Sequence, residues 1–342
     1  MAVFPLLADE ANYRACDHDL LIDPAARSYW LDLFASHLGL HMGAADLLEI
    51  PREALIRADS ALKREMDLIR ARPDRHGRLD ILLLTDIYRA ALAAEGITDE
   101  FRLIKQRENE AALAALARRI AELDRLDDGP RFEALIRGML AGNLFDMGVE
   151  ETARRFADRS LPFAEALDSL PDRPWFVDDL DELRQGWLAS TPPKTIIFAD
   201  NAGADIVLGI LPLARELLRR GGGVVIAANE TPALNDVTSR EVKTVINRAS
   251  EIDPIWRDGK LTVVSSGCKA PLIDLTSVSE ELARAARGAD LVILDGMGRA
   301  VESNYHARFA CNVWRVAMLK DPQVARSVGG EMYDAIFRAS LP

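Results

Sequence analysis

Two carboxylates and one amide follow apolar runs in the second half of the chain. Asp200 and Asn201 come directly after the run at 195–199, and Asp236 follows a second run at 224–228. Two β-rich runs separated by an apolar helical segment predict a βαβ unit with a parallel sheet. The carboxyl ends of parallel strands share one crevice, where open α/β folds bind ligands. Asp200, Asn201 and Asp236 are therefore predicted to converge on one hard cation.

The oxygen donors of these side chains indicate the type of metal. Asp and Asn oxygens suit Mg²⁺ or Mn²⁺ better than they suit soft metals. The sequence offers no cluster of cysteines or histidines for a zinc site. A simpler interpretation stays open, because Asp200 or Asn201 alone could cap a helix that begins near Gly203.

The pattern of an apolar run followed by polar or small residues occurs again near the end of the chain. The run at 291–294 continues into Asp295, Gly296, Met297, Gly298 and Arg299. Glycines after a strand allow close backbone approach to an anion, and an arginine can bind phosphate through two hydrogen bonds. A simple turn is the alternative for this motif.

Asn229, which follows the run at 224–228, also has two interpretations. It could orient a phosphate or a metal-bound water, and it could equally satisfy a turn. The run at 261–264 leads into Ser265, Ser266 and Gly267, so four candidate strands end in residues that could serve one site.

The elements that position these residues fall into two halves. Apolar residues recur at three- and four-residue spacing in five early segments: 25–39, 52–72, 80–94, 109–125 and 131–140. This spacing predicts amphipathic helices. We predict an α/β fold, with a helical N-terminal part at 1–150, bridging helices and turns at 151–193, and an α/β domain with a mainly parallel sheet at 194–342. Pro212 should kink or divide the helix that follows Asn201.

Composition excludes several classes of protein. The chain has 342 residues, 49% of them hydrophobic, and a net charge of −12, which argues against nucleic-acid binding. Three scattered cysteines do not form a disulfide framework, and no segment resembles a signal peptide or a membrane span. We therefore expect a cytoplasmic protein without a membrane partner, and the sequence leaves its oligomeric state open.

Five separated motifs together resemble the DUF89 damage-control phosphatases. The motifs lie at 105–109, 141–146, 198–201, 232–238 and 296–307, and so extend over most of the chain. The similarity is greatest to the C-terminal 4′-phosphopantetheine phosphatase domain of pantothenate kinase 4 and to stand-alone plant relatives. It implies a Rossmann-like C-terminal domain and a phosphatase acting on 4′-phosphopantetheine or its oxidised forms. The implied place of such an enzyme is metabolite damage control in coenzyme A metabolism.

The resemblance also implies roles for individual residues. The family's metal ligands fall on Asp200, Asn201 and Asp236, and the implied cofactor is a divalent metal, Mn²⁺, Co²⁺, Ni²⁺ or Mg²⁺. The family's substrate-binding Glu-Gly-Met-Gly-Arg motif falls on 295–299, where Asp295 replaces the glutamate. Glu302 likewise stands where pantothenate kinase relatives tend to carry histidine. Both differences lie beside the expected substrate.

Residues of the helical half are candidates for the cleft wall. The segment 105–109 matches the same subgroup, so Arg107 and Asn109 are predicted to contact the substrate, with a solvated helix face as the alternative. Asn143 and Asp146 are candidate lid or interdomain contacts.

Two mechanisms are compatible with the residues. A divalent ion could polarise the phosphoryl oxygens and lower the pKa of a bound water. Alternatively, Asp200 could attack phosphorus and form an aspartyl-phosphate. The position two residues after Asp200 is Ala202, which supplies no second acid, so the sequence favours water.

The sequence leaves two alternatives to this function open and disfavours a third. A phosphatase for another small phosphate ester, such as a sugar phosphate, and a non-catalytic sensor of a phosphorylated metabolite both stay open. A nicotinamide-dependent oxidoreductase is disfavoured, because the motif at 296–301 lacks the third glycine or alanine of the dinucleotide fingerprint.

Overall fold

One sheet organises the second half of the chain. The computed structural model describes residues 1–16, 18–43, 45–144 and 163–342. The strands in these residues are β1 (Val177–Asp178), β2 (Lys194–Phe198), β3 (Gly223–Ala228), β4 (Leu261–Ser265), β5 (Leu291–Asp295), β6 (Asn312–Met318) and β7 (Ala335–Ser340). They lie in the order β1-β7-β6-β5-β2-β3-β4, and only the β6–β7 pair among them is antiparallel. The predicted mainly parallel sheet is confirmed.

The strand order of the sheet reverses at β2. Strands β3 and β4 follow on one side of β2, whereas β5 and β6 follow on the other. In register, Ile197 of β2 pairs with Ile226 of β3 and with Ile293 of β5. Such a topological switch point opens a crevice at the carboxyl ends of the strands. Asp200 lies just beyond β2 at this crevice.

The central strands are apolar because helices cover both faces of the sheet. Ile196 and Phe198 belong to one hydrophobic core, and Ile197 between them belongs to the other. This alternation is the two-residue period of a strand. A parallel sheet buried on both faces consists of continuous apolar runs, which is why the sequence revealed β2 to β5.

Helices from the first half of the chain pack on both faces. The α-helices in the described residues are α1 (Pro24–Gly43), α2 (Ala45–Leu48), α3 (Arg52–Ala71), α4 (Ile81–Ala94), α5 (Arg102–Asp124), α6 (Asp128–Leu144), α7 (Phe163–Ser169), α8 (Leu180–Ala189), α9 (Leu211–Arg219), α10 (Ser239–Ala249), α11 (Glu280–Ala286) and α12 (Pro322–Ser327). Side chains of α1, α3 and α4 join one core, and those of α5, α6 and α9 join the other. The domain boundaries stay a prediction, and residue 150 lies outside the described residues.

The segment after Asn201 consists of two helical pieces. A π-helix at Asp205–Ile210 runs into α9, which carries Pro212 in its first turn, where a missing backbone N–H is tolerated. The predicted division of this helix is confirmed. Helix α5 begins at Arg102, earlier than the predicted start at 109. Within the described residues, no helix combines the length and apolar character needed to span a membrane.

Candidate active site

Backbone pairing places Asp200 and Asp236 side by side at the carboxyl end of the sheet. The N–H of Val237 donates to the carbonyl of Asp200 at 2.9 Å. Asn201 and Asp236 pair as an isolated antiparallel bridge. Thr238 then forms a capping box at the start of α10, which fixes the segment that follows Asp236. The predicted convergence of these residues is thus present in the backbone.

Three buried amides hold the two carboxylates. Asn143 and Asn201 donate to Oδ2 of Asp200 at 2.9 and 2.8 Å. Asn229 donates to Oδ2 of Asp236 at 2.8 Å. Because Asn143 lies on α6, this hydrogen bond connects the helical half of the chain directly to the site. Each carboxylate therefore has a defined orientation.

The Arg299 guanidinium lies between the two carboxylates. Its Nη1 donates to Oδ1 of Asp200, while Nη2 donates to Oδ2 of Asp236 at 2.8 Å and to Oδ1 of Asn229 at 3.1 Å. Arg299 is 1% exposed. Burial opposes its charge, but Asp236 and Asp200 together raise the pKa of the guanidinium above its usual range. Its predicted contact with phosphate stays a prediction.

A second pair of carboxyl groups lies beneath this network. Asp205 accepts from the backbone N–H and the side-chain amide of Asn201 at 3.0 and 3.2 Å. Burial, and then the charge of Asp200, raise the pKa of Asp205 to about 7. Burial, and then the charge of Asp205, raise the pKa of Asp295 well above its usual range. The pair thus adds less negative charge to the site than two ionised carboxylates would.

One oxygen of the predicted metal set is suited to a hard divalent cation. The amide oxygen Oδ1 of Asn201 is buried and has no hydrogen-bond partner in the described part of the chain. A buried acceptor without a donor is unfavourable, and a cation beside it would remove that penalty. No group of three or more His, Cys, Asp or Glu side chains in the described ranges has the arrangement of a metal site. The candidate set therefore depends on the Asn201 amide together with Asp200 and Asp236.

Glycine at position 296 is required by the approach of Asp200. Gly296 has φ +90°, a conformation that other residues rarely adopt, and a Cβ built there would overlap the Asp200 carboxylate. A Cβ at Gly298 would lie 2.7 Å from the carbonyl oxygen of Pro271. Gly296 therefore approaches the carboxylate of Asp200 closely, and the predicted contact of these glycines with a substrate anion stays a prediction.

A cavity of about 350 Å³ opens beside the two carboxylates. Asp200 and Asp236 contribute to its lining, as do Met297 and Gly298 of the glycine motif. Lys320 also lines it, and its Nζ donates to the carbonyl of Asn143 at 2.7 Å. A cavity of this size can admit a small ligand, and Lys320 contributes a positive charge to its lining.

Several predicted site residues lie outside the cavity lining. Arg107 is exposed, and Asn109 accepts from the backbone N–H of Gly203 at 2.7 Å. Asp295 is completely buried and adjoins Asp205. Substrate contacts by these residues stay predictions. Asp146 falls outside the described residues.

Asp205 and Lys320 belong to the site but were absent from the sequence prediction. Asp205 is an acid within the apolar run at 204–214, a combination that signals a special role in a buried helix. Lys320 follows β6, a strand that the sequence did not reveal. Asn143 was predicted only as a lid or interdomain contact, and its hydrogen bond to Asp200 gives it a direct part in the site.

A buried carboxyl behind the cavity wall provides a test of the electrostatics. Tyr88 lines the cavity and donates to Oε1 of Glu100 at 3.2 Å. Burial raises the pKa of Glu100 from 4.5 to about 7. Below pH 4.5 the carboxyl is protonated in both folded and unfolded chains. As pH rises from 4.5 towards 7, Glu100 ionises in the unfolded chain but stays protonated in the folded one. The free energy of unfolding therefore falls, by about 3 kcal/mol at most.

We therefore expect Glu100→Gln to be more stable than the parent protein at pH 8, and the difference to shrink as pH falls towards 5. Glutamine keeps an acceptor for Tyr88 but does not ionise. Chemical denaturation of both proteins between pH 5 and 8 would measure the difference. Stability profiles that run parallel across this range would contradict the raised pKa of Glu100.

Known proteins resemble this chain over most of its length. Residues 40–336 match the damage-control phosphatase ARMT1-like domain. The chain is 36% identical over 360 residues to the damage-control phosphatase At2g17340 of Arabidopsis thaliana, and the match covers 99% of this chain and 97% of that protein. It is 32% identical over 397 residues to the 4′-phosphopantetheine phosphatase of Mus musculus, covering 99% of this chain and 48% of that protein.

Two further matches concern a longer protein and a solved structure. The chain is 36% identical over 379 residues to pantothenate kinase 2 of Arabidopsis thaliana, of which it covers 42%. It therefore spans less than half of that protein and of the mouse phosphatase. The crystal structure of a DUF89 family protein from Pyrococcus horikoshii has a TM-score of 0.64 and 19% identity, covering 90% of this chain and 96% of that one. This structural match shows the shared fold.

Proposed function

The chain belongs to the damage-control phosphatase ARMT1-like family, and from that membership we propose that it is a metal-dependent phosphatase that hydrolyses 4′-phosphopantetheine or its oxidised forms. The observation that carries the proposal is the cavity of about 350 Å³, which has the Asp200 and Asp236 carboxylates in its lining. The name of the mouse relative supports the choice of substrate.

Asp200, Asn201 and Asp236 would hold the divalent ion, which we propose to be Mn²⁺, Co²⁺, Ni²⁺ or Mg²⁺. Such an ion, when bound, polarises phosphoryl oxygens and lowers the pKa of water. Asn143 and Asn229 keep the two carboxylates oriented through hydrogen bonds of 2.9 and 2.8 Å. The protein's own part is thus to fix the ligands before the substrate arrives.

Arg299 and Lys320 are the sources that we propose for positive charge near the phosphate. Arg299 neutralises the Asp200 and Asp236 carboxylates, which would otherwise repel a phosphate dianion. Lys320 lines the cavity and is placed to attract the ester's phosphoryl oxygens. This local charge opposes the repulsion expected from the protein's net charge of −12.

Water is the nucleophile that we propose. Asp200 would have to present a carboxylate oxygen to phosphorus in order to attack it directly. In the structure its Oδ2 accepts from Asn143 and Asn201, and its Oδ1 accepts from Arg299. Hydrogen bonds of this number stabilise the anion and reduce its nucleophilicity. They favour Asp200 as a fixed acceptor over Asp200 as the nucleophile.

We also propose a cellular compartment and a class of binding partner for the protein. Cys16, Cys268 and Cys311 are all buried thiols, which supports a reducing compartment such as the cytoplasm. The partner that we propose is a small phosphate ester, with no nucleic acid and no membrane involved.

We expect phosphate release from 4′-phosphopantetheine with a kcat/KM at least about tenfold higher than from glucose 6-phosphate or AMP. The physical reason is that selectivity among phosphate esters must come from the part of the molecule beyond the phosphate. The assay would measure inorganic phosphate from each ester in the presence of each of the four metals. A higher kcat/KM for the sugar phosphate would support the alternative substrate class. Release from none of the esters would favour a sensor.

A further inference from the structure

A buried lysine of helix α5 contacts the segment that carries Asp236. We call this segment, residues 231–238, the Asp236 loop. Lys105 is completely buried, although lysine is among the residues least often found in the interior. It also lies close to the N-terminus of α5, where the helix dipole disfavours a positive charge. Two unfavourable features at one residue indicate that its contacts have a specific role.

The ammonium group of Lys105 connects the Asp236 loop to two acids. Its Nζ lies 3.0 Å from a carboxylate oxygen of Asp99 and 3.0 Å from one of Glu241, and it donates to the backbone carbonyl of Asp236 at 3.5 Å. These acceptors match the three N–H groups of an ammonium. Burial opposes the charge, but Glu241 and Asp99 raise the pKa of Lys105 above its usual value. The lysine therefore stays charged in this position.

Glu241 extends this contact to the backbone of the Asp236 loop. One of its carboxylate oxygens faces Lys105, and the other accepts from the backbone N–H and the hydroxyl of Thr238 at 2.7 and 2.8 Å. Thr238 in turn pairs with Asn229 as an isolated parallel bridge. Asn229 is the residue whose amide donates to the Asp236 carboxylate. Lys105 is thus connected to the backbone of Asp236 and to a partner of its side chain.

The backbone of the Asp236 loop has a conformation that needs support. Leu234 has φ +53°, in the left-handed region that residues other than glycine rarely adopt. It packs on a small core cluster of Leu48, Phe101 and Ile104, and the last two lie at the start of α5. A strained backbone persists only where its surroundings hold it. The start of α5 therefore holds the loop through both apolar and charged contacts.

We propose that Lys105 is a positioning residue, which fixes the Asp236 loop so that the carboxylates of Asp236 and Asp200 can share one divalent ion. The inference rests on the metal site of the proposed function. The sequence pointed to the segment 105–109 as a wall of the cleft, but Lys105 has no exposed surface with which to contact a ligand. Removing a partner that orients metal ligands typically costs about 10–100-fold in metal affinity or activity.

Calorimetric titration of the full chain with Mn²⁺ tests this role. Lys105→Met replaces the ammonium with an apolar side chain of similar length, and we expect the Kd for Mn²⁺ to rise about tenfold. Charge alone predicts the opposite, because loss of a cation leaves more negative charge near the ion and should tighten its binding. A Kd for Lys105→Met at or below the parental value would overturn the proposal, as would a parent protein that binds no Mn²⁺.

Arg215→Met is the matched control for a general loss of stability. Arg215 pairs with the carboxylates of Asp253 and Asp124 at 2.6 and 2.7 Å, and Asp124 lies at the end of α5 opposite to Lys105. Both substitutions remove a largely buried cation from two acids, so both should lower the melting temperature. The Kd of Arg215→Met for Mn²⁺ should nevertheless stay within about twofold of the parental value. Equal rises in the two variants would show that Lys105 acts through stability alone, and the proposal would fail.

A milder pair of variants keeps the test independent of whether Lys105→Met folds. Thr238→Ala and Ser279→Ala each remove the side-chain cap of one helix, α10 or α11, at a small and similar cost in stability. Thr238→Ala also breaks the connection between Glu241 and the Asp236 loop, so its Kd for Mn²⁺ should rise several-fold. Ser279→Ala should keep the parental Kd. Equal Mn²⁺ affinity of these two variants would contradict the proposed connection.

Amide hydrogen exchange reports the position of the Asp236 loop without any metal. The backbone N–H of Val237 donates to the carbonyl of Asp200 at 2.9 Å, so its protection measures how firmly the loop is held beside Asp200. This amide should exchange faster in Lys105→Met than in Arg215→Met. Equal protection in the two variants would mean that Lys105 does not position the loop.

Turnover separates this inference from the proposed function. At saturating Mn²⁺, Lys105→Met should lower kcat for 4′-phosphopantetheine by about tenfold and leave KM nearly unchanged, because the buried lysine does not touch the ester. If the parent hydrolyses the ester and the variant keeps both the parental kcat and the parental Kd for Mn²⁺, the inference fails while the phosphatase function stands. If the parent binds Mn²⁺ but hydrolyses no ester, the proposed function fails, and the Kd of Lys105→Met still decides the role of Lys105.

Discussion

Replacing Asp236 with asparagine is expected to lower kcat/KM for phosphate release by about a thousandfold or more, while the protein stays folded. The carboxylate lies at the crevice, is held by Asn229, and is one of the two charges that we propose for the metal. Losing a charged ligand removes several kcal/mol of transition-state stabilisation, or about a thousandfold in rate. Asparagine has nearly the same shape, so the fold should persist, but the melting temperature should fall because the buried Arg299 keeps only one of its two carboxylate partners. Asp200→Asn should behave in the same way.

The measurement pairs phosphate release with metal binding. Calorimetric titration with Mn²⁺ should show that both variants bind the ion more weakly than the parent protein. Asp172→Asn is a suitable control, because Asp172 is exposed and distant in sequence from both ligands. Near-parental turnover in the Asp236 variant, or undiminished turnover of the parent after thorough chelation, would exclude the metal assignment.

The convergence of Asp200 and Asp236 could be predicted from the sequence because the framework that carries them is local. Buried parallel strands are continuous apolar runs, so β2 and β3 were visible, and Asp200 and Asp236 follow them directly. The carboxyl ends of such strands meet by geometry, which allowed the convergence of these residues to be predicted. The structure adds the backbone bridge between Asn201 and Asp236, which produces this convergence.

Strands β6 and β7 could not be predicted from local pattern. Arg315 lies in the middle of β6 and is completely buried, whereas a charged residue in an apolar run normally argues against a buried strand. Its guanidinium donates to the carbonyls of Asn304 and Ala307 at 2.8 and 2.6 Å. These acceptors lie in a loop outside β6, so the sequence of β6 does not indicate them. Lys320, which follows β6, was missed for the same reason.

The contributions of the helical half were the least predictable. Amphipathic spacing identifies α4 and α5 as helices, but it does not say which helix faces the site. Lys105 is completely buried and forms ion pairs of 3.0 Å with Asp99 and Glu241. Its segment therefore supports the loop that carries Asp236, while α1 and α4 line the cavity. Only tertiary packing decides between these two arrangements.

Arg299→Lys is expected to reduce kcat/KM by more than about a hundredfold and to lower the melting temperature, although the charge is kept. The guanidinium spans two carboxylates and also reaches Asn229 and the carbonyl of Pro271. An ammonium is a point charge and cannot bridge Asp200 and Asp236 with the same geometry. Removing one partner of a buried charge pair costs about 3–5 kcal/mol, which is an upper bound here because lysine keeps the charge, and the two carboxylates should lose their fixed positions.

Arg315→Lys distinguishes the loss of the site from a general loss of stability. Arg315 is as buried as Arg299, at 1% exposure, but its guanidinium donates to the carbonyl oxygens of Asn304 and Ala307 in a loop. This variant should also melt at a lower temperature, since buried carbonyls lose their donors. At a temperature where both variants are folded, it should nevertheless keep most of the parental kcat/KM. Equal losses of activity in the two variants would mean that Arg299 acts only through stability, because a shared structural defect would then explain both.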